Sequence, residues 1–277
     1  KTDVLLSVRR SYLQFLFELI GLPIRPDYWD YQYKLNHKID AYNSLSFVGL
    51  GSIDEFTVAL PEDPTPDQQA TFDQVPFINQ NSNTVGVTWK RRFKDQSGFM
   101  EVSLSNNSLW NTYSEYNDNA SQTELRFQND ALESETKLRL AVNRFAEGWK
   151  WSHGLNLQRA FYENSTLNTL AAYQYNTSLD FLNYGLFAQG SKDFLQDRLA
   201  LSFGFRMDGD TFIKGSNLLK TFSPRASASY ALTPSWKLNG TAGVYYKIPP
   251  YTMLGFQNTA QEFLNQDLDY TRSTHLV

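Results

Sequence analysis

A strict alternation of apolar and polar residues constrains the fold of this chain more than any other feature. Between Asp197 and Lys247 it occurs in two runs, each beside a short turn. In the first run, one side carries Leu199, Leu201, Phe203, Phe205 and Met207, and the other carries Ala200, Ser202, Gly204, Arg206 and Asp208. Successive side chains of a strand point to opposite faces, so each run predicts a strand with one apolar and one polar face. A sheet built from such strands must cover its apolar face with a protein core or with lipid.

Composition narrows that choice. Aromatic residues make up 15% of the 277 residues, yet the mean hydropathy is -0.46. No run approaches the roughly 18 uninterrupted apolar residues of a membrane helix, which excludes a helical membrane protein. A membrane barrel remains possible, because only every second residue of its strands faces lipid. The net charge of -4 provides no basic field, so we expect no nucleic-acid partner.

The pattern predicts about a dozen strands, joined by short turns at one end and long loops at the other. The clearest strands are Asp30 to Ile39, Ser44 to Gly51, Thr84 to Phe93, Phe99 to Ser108, Thr136 to Phe145, Trp149 to Phe161, Phe181 to Ser191, the runs from Arg198 and Trp236, and Ser223 to Ala231. Long loops are expected at Ser52 to Ser82, Glu163 to Asn176 and Thr211 to Thr221. Helical spacing predicts a short helix within Tyr12 to Gly21, stopped by Gly21 and Pro23. This layout is typical of an antiparallel up-and-down outer-membrane β-barrel.

Tryptophan positions favour the membrane interpretation. Indole side chains are stable at a membrane interface, and barrels carry aromatic girdles at both rims. The predicted girdle consists of Trp29, Trp89, Trp149, Trp151 and Trp236, which lie near predicted strand ends. The alternative is ordinary core packing in a soluble sheet.

Charged residues fall on the polar face of the predicted strands. This set, expected to face a wet lumen or a plug, is Lys34, Lys38, Lys137, Arg139, Arg206, Asp208, Arg225 and Lys237. The solvated outer face of a soluble sheet would carry similar charges, so this set alone leaves both interpretations open.

Four short segments, in their order and spacing, resemble one family. They are Val8-Arg9-Arg10-Ser11-Tyr12-Leu13, Tyr31-Gln32-Tyr33-Lys34-Leu35-Asn36, Phe222-Ser223-Pro224-Arg225-Ala226-Ser227 and Tyr246-Lys247-Ile248-Pro249-Pro250-Tyr251. Together they resemble the barrel of a TonB-dependent outer-membrane receptor, particularly the large Bacteroidetes type. Such receptors have a barrel of about 22 strands, closed by an N-terminal plug domain. The resemblance implies that residues 1–277 are one segment of a single barrel domain, with the plug and the C-terminal strands outside it.

The resemblance also implies a function and its partners. A receptor of this kind takes up a scarce ligand actively, and a TonB-type protein supplies the energy through the N-terminal part. The expected partners are outer-membrane lipid, the plug domain of the same chain, that energy-coupling protein and a small-molecule ligand. The ligand class stays open among siderophore, vitamin, oligosaccharide and peptide, and the expected location is the cell outer membrane.

Residues that could touch ligand are Trp110, Tyr113 and Tyr116, which rise from a strand end into a predicted outer loop. Stacking aromatics suit sugars or aromatic chelators, but the same residues could form the upper rim of the girdle. Two other functions remain open at this stage. A passive porin shares the alternation without a plug, and a soluble all-β binding module would need no lipid.

Catalytic and metal-binding patterns are not found in the sequence. The histidines, at positions 37, 153 and 275, match no hydrolase signature, and there is no cysteine. The carboxylates of Glu62, Asp63 and Asp67 are interrupted by prolines and lack the spacing of a metal site. We therefore predict no enzyme, no metal site and no cofactor.

Overall fold

The computed structural model describes residues 1–22, 24–60 and 63–277. Within these residues, twelve strands form one antiparallel sheet in which each strand pairs with the next along the chain, so β1 and β12 are its edges. This up-and-down order confirms the predicted fold class and the predicted strand number. In the described part of the chain, no helix is both long enough and apolar enough to span a membrane.

The strands differ greatly in length. They are β1 (Thr2–Arg10), β2 (Ile24–Lys38), β3 (Asn43–Val58), β4 (Phe77–Arg92), β5 (Gly98–Asp118), β6 (Thr123–Ala146), β7 (Trp149–Asn168), β8 (Tyr173–Phe194), β9 (Leu199–Asp210), β10 (Ser223–Ala231), β11 (Lys237–Lys247) and β12 (Thr271–Leu276). The helices are α1 (Leu13–Leu19), α2 (Pro66–Gln74) and α3 (Tyr251–Leu254). The predicted helix within Tyr12 to Gly21 is therefore confirmed as α1, while its proposed stop at Pro23 lies outside the described residues, as do Pro61 and Glu62.

One predicted long loop is wrong, and another is shorter than predicted. The segment Glu163 to Asn176 continues as strand to Asn168 and from Tyr173, so only a tight turn connects β7 to β8. The segment Ser52 to Ser82 contains the end of β3, all of α2 and the start of β4. Polar residues suggested loops, but Asn, Ser and Thr pairs across adjacent strands extend the ladder beyond the apolar region, as between Ser165 and Asn176.

Directly paired residues share a face, so the register shows how the two faces are built. One continuous row across seven strands is entirely apolar: Leu35, Phe47, Val87, Leu104, Leu138, Leu157 and Tyr184. The adjacent row on the other face is polar apart from one glycine: Asn36, Ser46, Thr88, Ser103, Arg139, Asn156, Gly185 and Asp208. We call these the apolar face and the polar face.

The apolar face is bare and the packed core lies on the polar face. Leu157 is 45% exposed and Phe203 is 48% exposed, although both stand mid-strand on the apolar face. In contrast, Ala160 and Leu254 are completely buried within a cluster on the polar face. A soluble sheet would bury its apolar face, whereas a membrane barrel presents it to lipid.

Tryptophans mark two levels on the apolar face. Trp89 pairs with Val102 on one side and, through Leu45, is level with His37 on the other. Trp29 lies eight residues from His37 along β2, and Trp110 lies eight residues from Val102 along β5. Eight residues span about 26 Å along a strand, or about 20 Å across the membrane at a tilt of about 40°. This separation approaches the apolar band of about 25 Å found in outer-membrane barrels.

Charges appear on the apolar face only beyond this band in the long hairpin β7–β8. Arg159, eight residues from Trp151, forms an ion pair at 2.6 Å with Asp180. Between them, β7 carries His153, Leu155 and Leu157 on this face. A charged residue at the bilayer centre is costly, so the pair fits the upper boundary of the band.

Candidate ligand groove on the polar face

The connection between β11 and β12, residues 248–270, folds back over the polar face. It enters through Ile248-Pro249-Pro250 and forms α3, from which Leu254 inserts into the sheet surface. Leu254 packs in one cluster with Ala160, Tyr162, Leu179, Phe181 and Ile213. These residues form an apolar patch on the polar face, and the docked loop covers them.

Hydrogen bonds fix this docked loop to the strands. The Tyr251 hydroxyl donates to Glu135 Oε1 at 2.6 Å and accepts from Gln158 Nε2 at 3.2 Å. The carbonyl of Gly255 accepts from Tyr175 Oη at 2.6 Å and from Thr177 Oγ1 at 2.7 Å. The loop is therefore held on β6, β7 and β8 by both packing and polar contacts.

A second anchor holds the far end of the loop. Tyr270 Oη donates to Asp210 Oδ2 at 2.9 Å. Asp210, only 4% exposed, also accepts from the backbone amides of Phe212 and Ile213 and from Ser216 Oγ. One buried carboxylate thus ties the β9–β10 connection to the β11–β12 connection.

A groove of about 860 Å³ runs between the sheet and the docked loop. Its floor is one row of paired residues, namely Asn111, Ala131, Asn164 and Thr177. The loop contributes Gln257, Gln261 and Phe263 to the opposite wall. This arrangement offers amides, hydroxyls and the Phe263 ring to a bound molecule, and Trp110, Asp130 and Glu163 also line the groove.

The groove continues toward the tips of the long hairpins. A second space of about 570 Å³ shares Asn111 and is lined by Tyr113, Glu115, Asn129 and other residues. Tyr113 Oη donates to Glu115 Oε1 at 2.7 Å, and its ring meets Phe127 edge-on at 5.7 Å. The hydrogen bond to Glu115, with partial burial, raises the pKa of Tyr113 to about 12. Tyr113 is therefore a neutral hydrogen-bonding group at physiological pH.

The groove has little positive charge. No lysine or arginine lines its larger part, among the residues that the structure describes. Its upper part has one, Arg126, which stands beside the β-bulge at Glu115 and Tyr116. Amide side chains both donate and accept hydrogen bonds, so this lining is suited to hydroxyl groups rather than to several negative charges.

The structure separates the three predicted ligand residues. Tyr113 lies on the polar face, in the groove. Trp110 pairs with Leu132 on the apolar face, and Tyr116 meets Phe77 of that face edge-on at 5.6 Å. Trp110 and Tyr116 occupy the position of an upper rim. Trp110 also borders the larger part of the groove, and Tyr113 lines its upper part.

The predicted lumen-facing charges share one face of the sheet, and four of the five predicted girdle tryptophans share the other. The register places all eight charged residues on the polar face: Lys34, Lys38, Lys137, Arg139, Arg206, Asp208, Arg225 and Lys237. Trp29, Trp89, Trp149 and Trp151 lie on the apolar face, and Trp236 stands in the β10–β11 turn, 72% exposed. Trp149 and Trp151 stack at 5.0 Å, and both meet Phe203 edge-on.

Most residues of the groove were not predicted from the sequence. Asn111, Asn164 and Thr177 resembled ordinary loop or strand polarity, and Gln257 and Gln261 lie in a segment without periodicity. The available signal was Leu254, an apolar residue in a short segment after two prolines. Within the described residues, no group of three or more His, Asp or Glu could hold a metal ion.

Residues 20–276 match the family model described as TonB dependent receptor-like, beta-barrel. Solved structures with a similar fold include the copper transporter OprC, with a TM-score of 0.63 and 14% identity over 84% of this chain and 40% of that one. The alcaligin receptor FauA from Bordetella pertussis gives 0.58 and 9% over 99% of this chain and 42% of that one. A mutant of the ferric enterobactin receptor PfeA from Pseudomonas aeruginosa gives 0.58 and 16% over 90% and 37%. No curated protein sequence matches the chain.

Proposed function

Because the chain belongs to the TonB-dependent receptor-like β-barrel family, we propose that it forms barrel wall and ligand groove of a receptor for active uptake. The family consists of outer-membrane receptors and transporters rather than enzymes, and the apolar face described above is the lipid-contacting surface of such a barrel. The chain spans about two fifths of the solved structures named above. The transport cycle, the plug and the energy-coupling partner are therefore parts of the proposal.

One observation supports ligand binding inside the barrel most strongly. The 248–270 connection is fixed over the polar face and encloses a groove of about 860 Å³ with Asn111, Asn164 and Thr177. Binding sites are concave and combine apolar surface with a few placed polar groups. A receptor that captures a scarce ligand needs such a site, whereas a passive porin needs only an open lumen.

The lining favours an uncharged, hydroxyl-rich ligand, such as an oligosaccharide. Amides at Asn111, Asn164 and Gln257 can each donate and accept, which matches hydroxyl groups. An anionic metal chelate would lack cations to pair with in the larger part of the groove. The copper, alcaligin and ferric enterobactin named for the similar structures belong to those proteins, and their low identity leaves the ligand of this chain to be tested.

The partners follow from the same proposal. Residues 1–277 form a segment of one barrel domain, the polar face lines the interior, and a plug domain of the same chain lies against that face. A TonB-type protein then drives ligand release through the plug. The lumen-facing charges, including Lys34 and Lys137, provide a hydrated surface along which plug and ligand can move.

The test measures binding and uptake separately in the full receptor. Binding of a panel of neutral hexose oligosaccharides is measured by calorimetry, with a ferric tricatecholate as the anionic comparison. Asn164→Leu removes a groove amide that can donate to and accept from a ligand hydroxyl, and it should weaken oligosaccharide binding at least tenfold, an expected loss of about 1.4 kcal/mol or more. Asn36→Leu, the same replacement on the polar face of β2, should not weaken binding.

Uptake should stop in cells lacking the energy-coupling protein, while binding persists. Uptake that continues in those cells would support a passive porin and contradict the proposal. Preferential binding of the anionic chelate would overturn the ligand class and leave active uptake standing.

A further inference from the structure

A second cavity lies on the polar face, nearer the short turns. It has a volume of about 370 Å³ and is bordered by strands from β6 to β11. Three arginines line it, Arg139, Arg206 and Arg225, and we call it the arginine cavity. Along β7, Asn156 of this cavity is eight residues from Asn164 of the ligand groove, about 26 Å at the rise of an extended strand. The two sites are therefore distinct.

The three arginines differ in their partners. Arg206 binds Asp208 through several hydrogen bonds, the shortest at 2.7 Å. Within the described parts of the chain, Arg139 and Arg225 make neither an ion pair nor a side-chain hydrogen bond. Two guanidinium groups in one cavity thus retain their full donor capacity.

Aromatic stacking orients both guanidinium groups. Arg139 lies 5.0 Å from the ring centre of Phe187, and Arg225 lies 4.4 Å from that of Tyr245. A stacked guanidinium keeps its N–H edges available, because the ring contacts only its flat side. The donors are therefore partly immobilised before any partner binds.

The rest of the lining is neutral and polar. Gln189 and Ser202 hydrogen-bond to each other at 3.1 Å, and Asn156 and Thr241 add further polar groups. No aspartate or glutamate is found among the described residues lining the cavity. A small site with three arginines, one of them already neutralised, carries an excess of two positive charges.

The excess positive charge of the arginine cavity lies at the depth of the membrane. Arg139 lies in the polar row adjacent to the row of Leu138 and Leu157, within the apolar band. Ionisable residues at membrane depth face an interior and pair with a counter-charge or mark a pathway. Water can solvate an isolated arginine, but a single guanidinium binds a carboxylate in a bidentate manner through two parallel N–H groups, and Arg139 on β6 and Arg225 on β10 each offer one such fork.

We propose that the arginine cavity is a carboxylate-binding site inside the barrel, with Arg139 and Arg225 as its donors. The carboxylate can come from an acidic side chain of a protein segment within the barrel or from a diffusing ligand. Both sources present the same chemistry to the arginines. This site does not depend on which molecule occupies the groove.

The experiment uses the full receptor in detergent and three double variants. Arg139→Gln with Arg225→Gln removes both charges, and Arg139→Lys with Arg225→Lys keeps the charges without the guanidinium fork. Lys34→Gln with Lys38→Gln is the matched control, because it removes two charges from the same face outside the cavity. Citrate binding is measured by calorimetry, and the unfolding temperature is measured by scanning calorimetry.

A diffusing carboxylate predicts that the wild-type receptor binds citrate, that the glutamine variant binds at least tenfold more weakly, and that the control matches the wild type. An internal acidic side chain predicts no citrate binding by the wild type. In that case the unfolding temperature falls by several degrees in the glutamine variant, falls less in the lysine variant and stays unchanged in the control.

Two results would overturn the proposal. The glutamine variant and the control could behave alike in both assays, which would mean that the cavity has no special affinity for carboxylates. Alternatively, the glutamine and lysine variants could lose equal stability without any change in citrate binding, which would reduce both arginines to a packing role.

Discussion

Leu254 is predicted to control the docking of the 248–270 connection, and Leu254→Ala tests this. The side chain is completely buried against Leu179, Phe181 and Ala160. Leucine-to-alanine replacements at such sites cost about 3 kcal/mol, because transfer energy is lost and a cavity remains. The hydrogen bonds of Tyr251 and Gly255 should persist in the docked form, so the loss applies to the docking equilibrium.

Hydrogen exchange at the Gly255 amide reports this equilibrium directly. This amide donates to the Tyr251 carbonyl at 2.7 Å and exchanges when the loop opens. A loss of about 3 kcal/mol should raise its exchange rate ~150-fold in the full receptor, while amides within β7 stay protected. Leu264→Ala is the control, since Leu264 lies in the same loop but is 52% exposed and should change the rate little.

An increase of less than about tenfold at the Gly255 amide would refute the reasoning, because the cluster would then contribute little to docking. Equal increases for both variants would also refute it. In that case the loop would respond to any shortened side chain rather than to loss of its buried anchor.

Two further predictions concern the sheet and its upper rim. Gly190→Val should lower the unfolding temperature of the barrel, because an added Cβ would stand 2.5 Å from the Trp151 ring. Gly240→Val is the control and should be tolerated, because a Cβ there would be 3.9 Å from its nearest neighbour. Equal effects of the two variants would contradict the close packing of Gly190 against Trp151. In absorbance at 295 nm, the difference between wild type and Tyr113→Phe should show one ionisation at about pH 12, which moves toward the ordinary value near 10 in Glu115→Gln. The raised pKa of Tyr113 stabilises the fold below about pH 10, and this stabilisation is lost as the pH rises through about 12. A Tyr113 ionisation near pH 10 in the wild type would contradict the hydrogen bond from Tyr113 to Glu115.

The fold could be predicted because its main signal is local. Leu138 and Leu140 alternate with Lys137 and Arg139 within four residues, and a strand follows from that spacing alone. The antiparallel order follows from short turns such as that before Trp149. Tryptophans near strand ends then favoured lipid over a soluble core, and the bare apolar face agrees with that preference.

Strand ends could not be predicted by the same signal. Beyond the membrane, both faces of β7 and β8 become polar, so the alternation that defined the strand disappears at Glu163. The strand continues because backbone pairing and cross-strand contacts such as Ser165 with Asn176 remain. Polarity in that segment reflects water on one face and the docked 248–270 loop on the other, rather than a loop in the chain itself.

The groove depends on contacts between residues far apart in the chain. Tyr251 hydrogen-bonds to Glu135, which is 116 residues earlier in the chain. Gly255 accepts a hydrogen bond from Thr177, which is 78 residues earlier. No local pattern encodes such a contact. Tyr113 was singled out as an aromatic near a strand end, but its placement on the face opposite Trp110 and Tyr116 follows from the parity of β5.

The most direct test of the account is a face-by-face labelling of β7 in the full receptor, in lipid vesicles. Single cysteines at Leu155, Asn156, Leu157 and Gln158 carry a fluorophore, which is quenched either by brominated lipid or by iodide in water. We predict that lipid quenches positions 155 and 157 while iodide quenches 156 and 158, with a period of two. Quenching that is equal at adjacent positions, or lipid quenching at 156 and 158, would contradict a barrel with lipid on its apolar face and a polar interior.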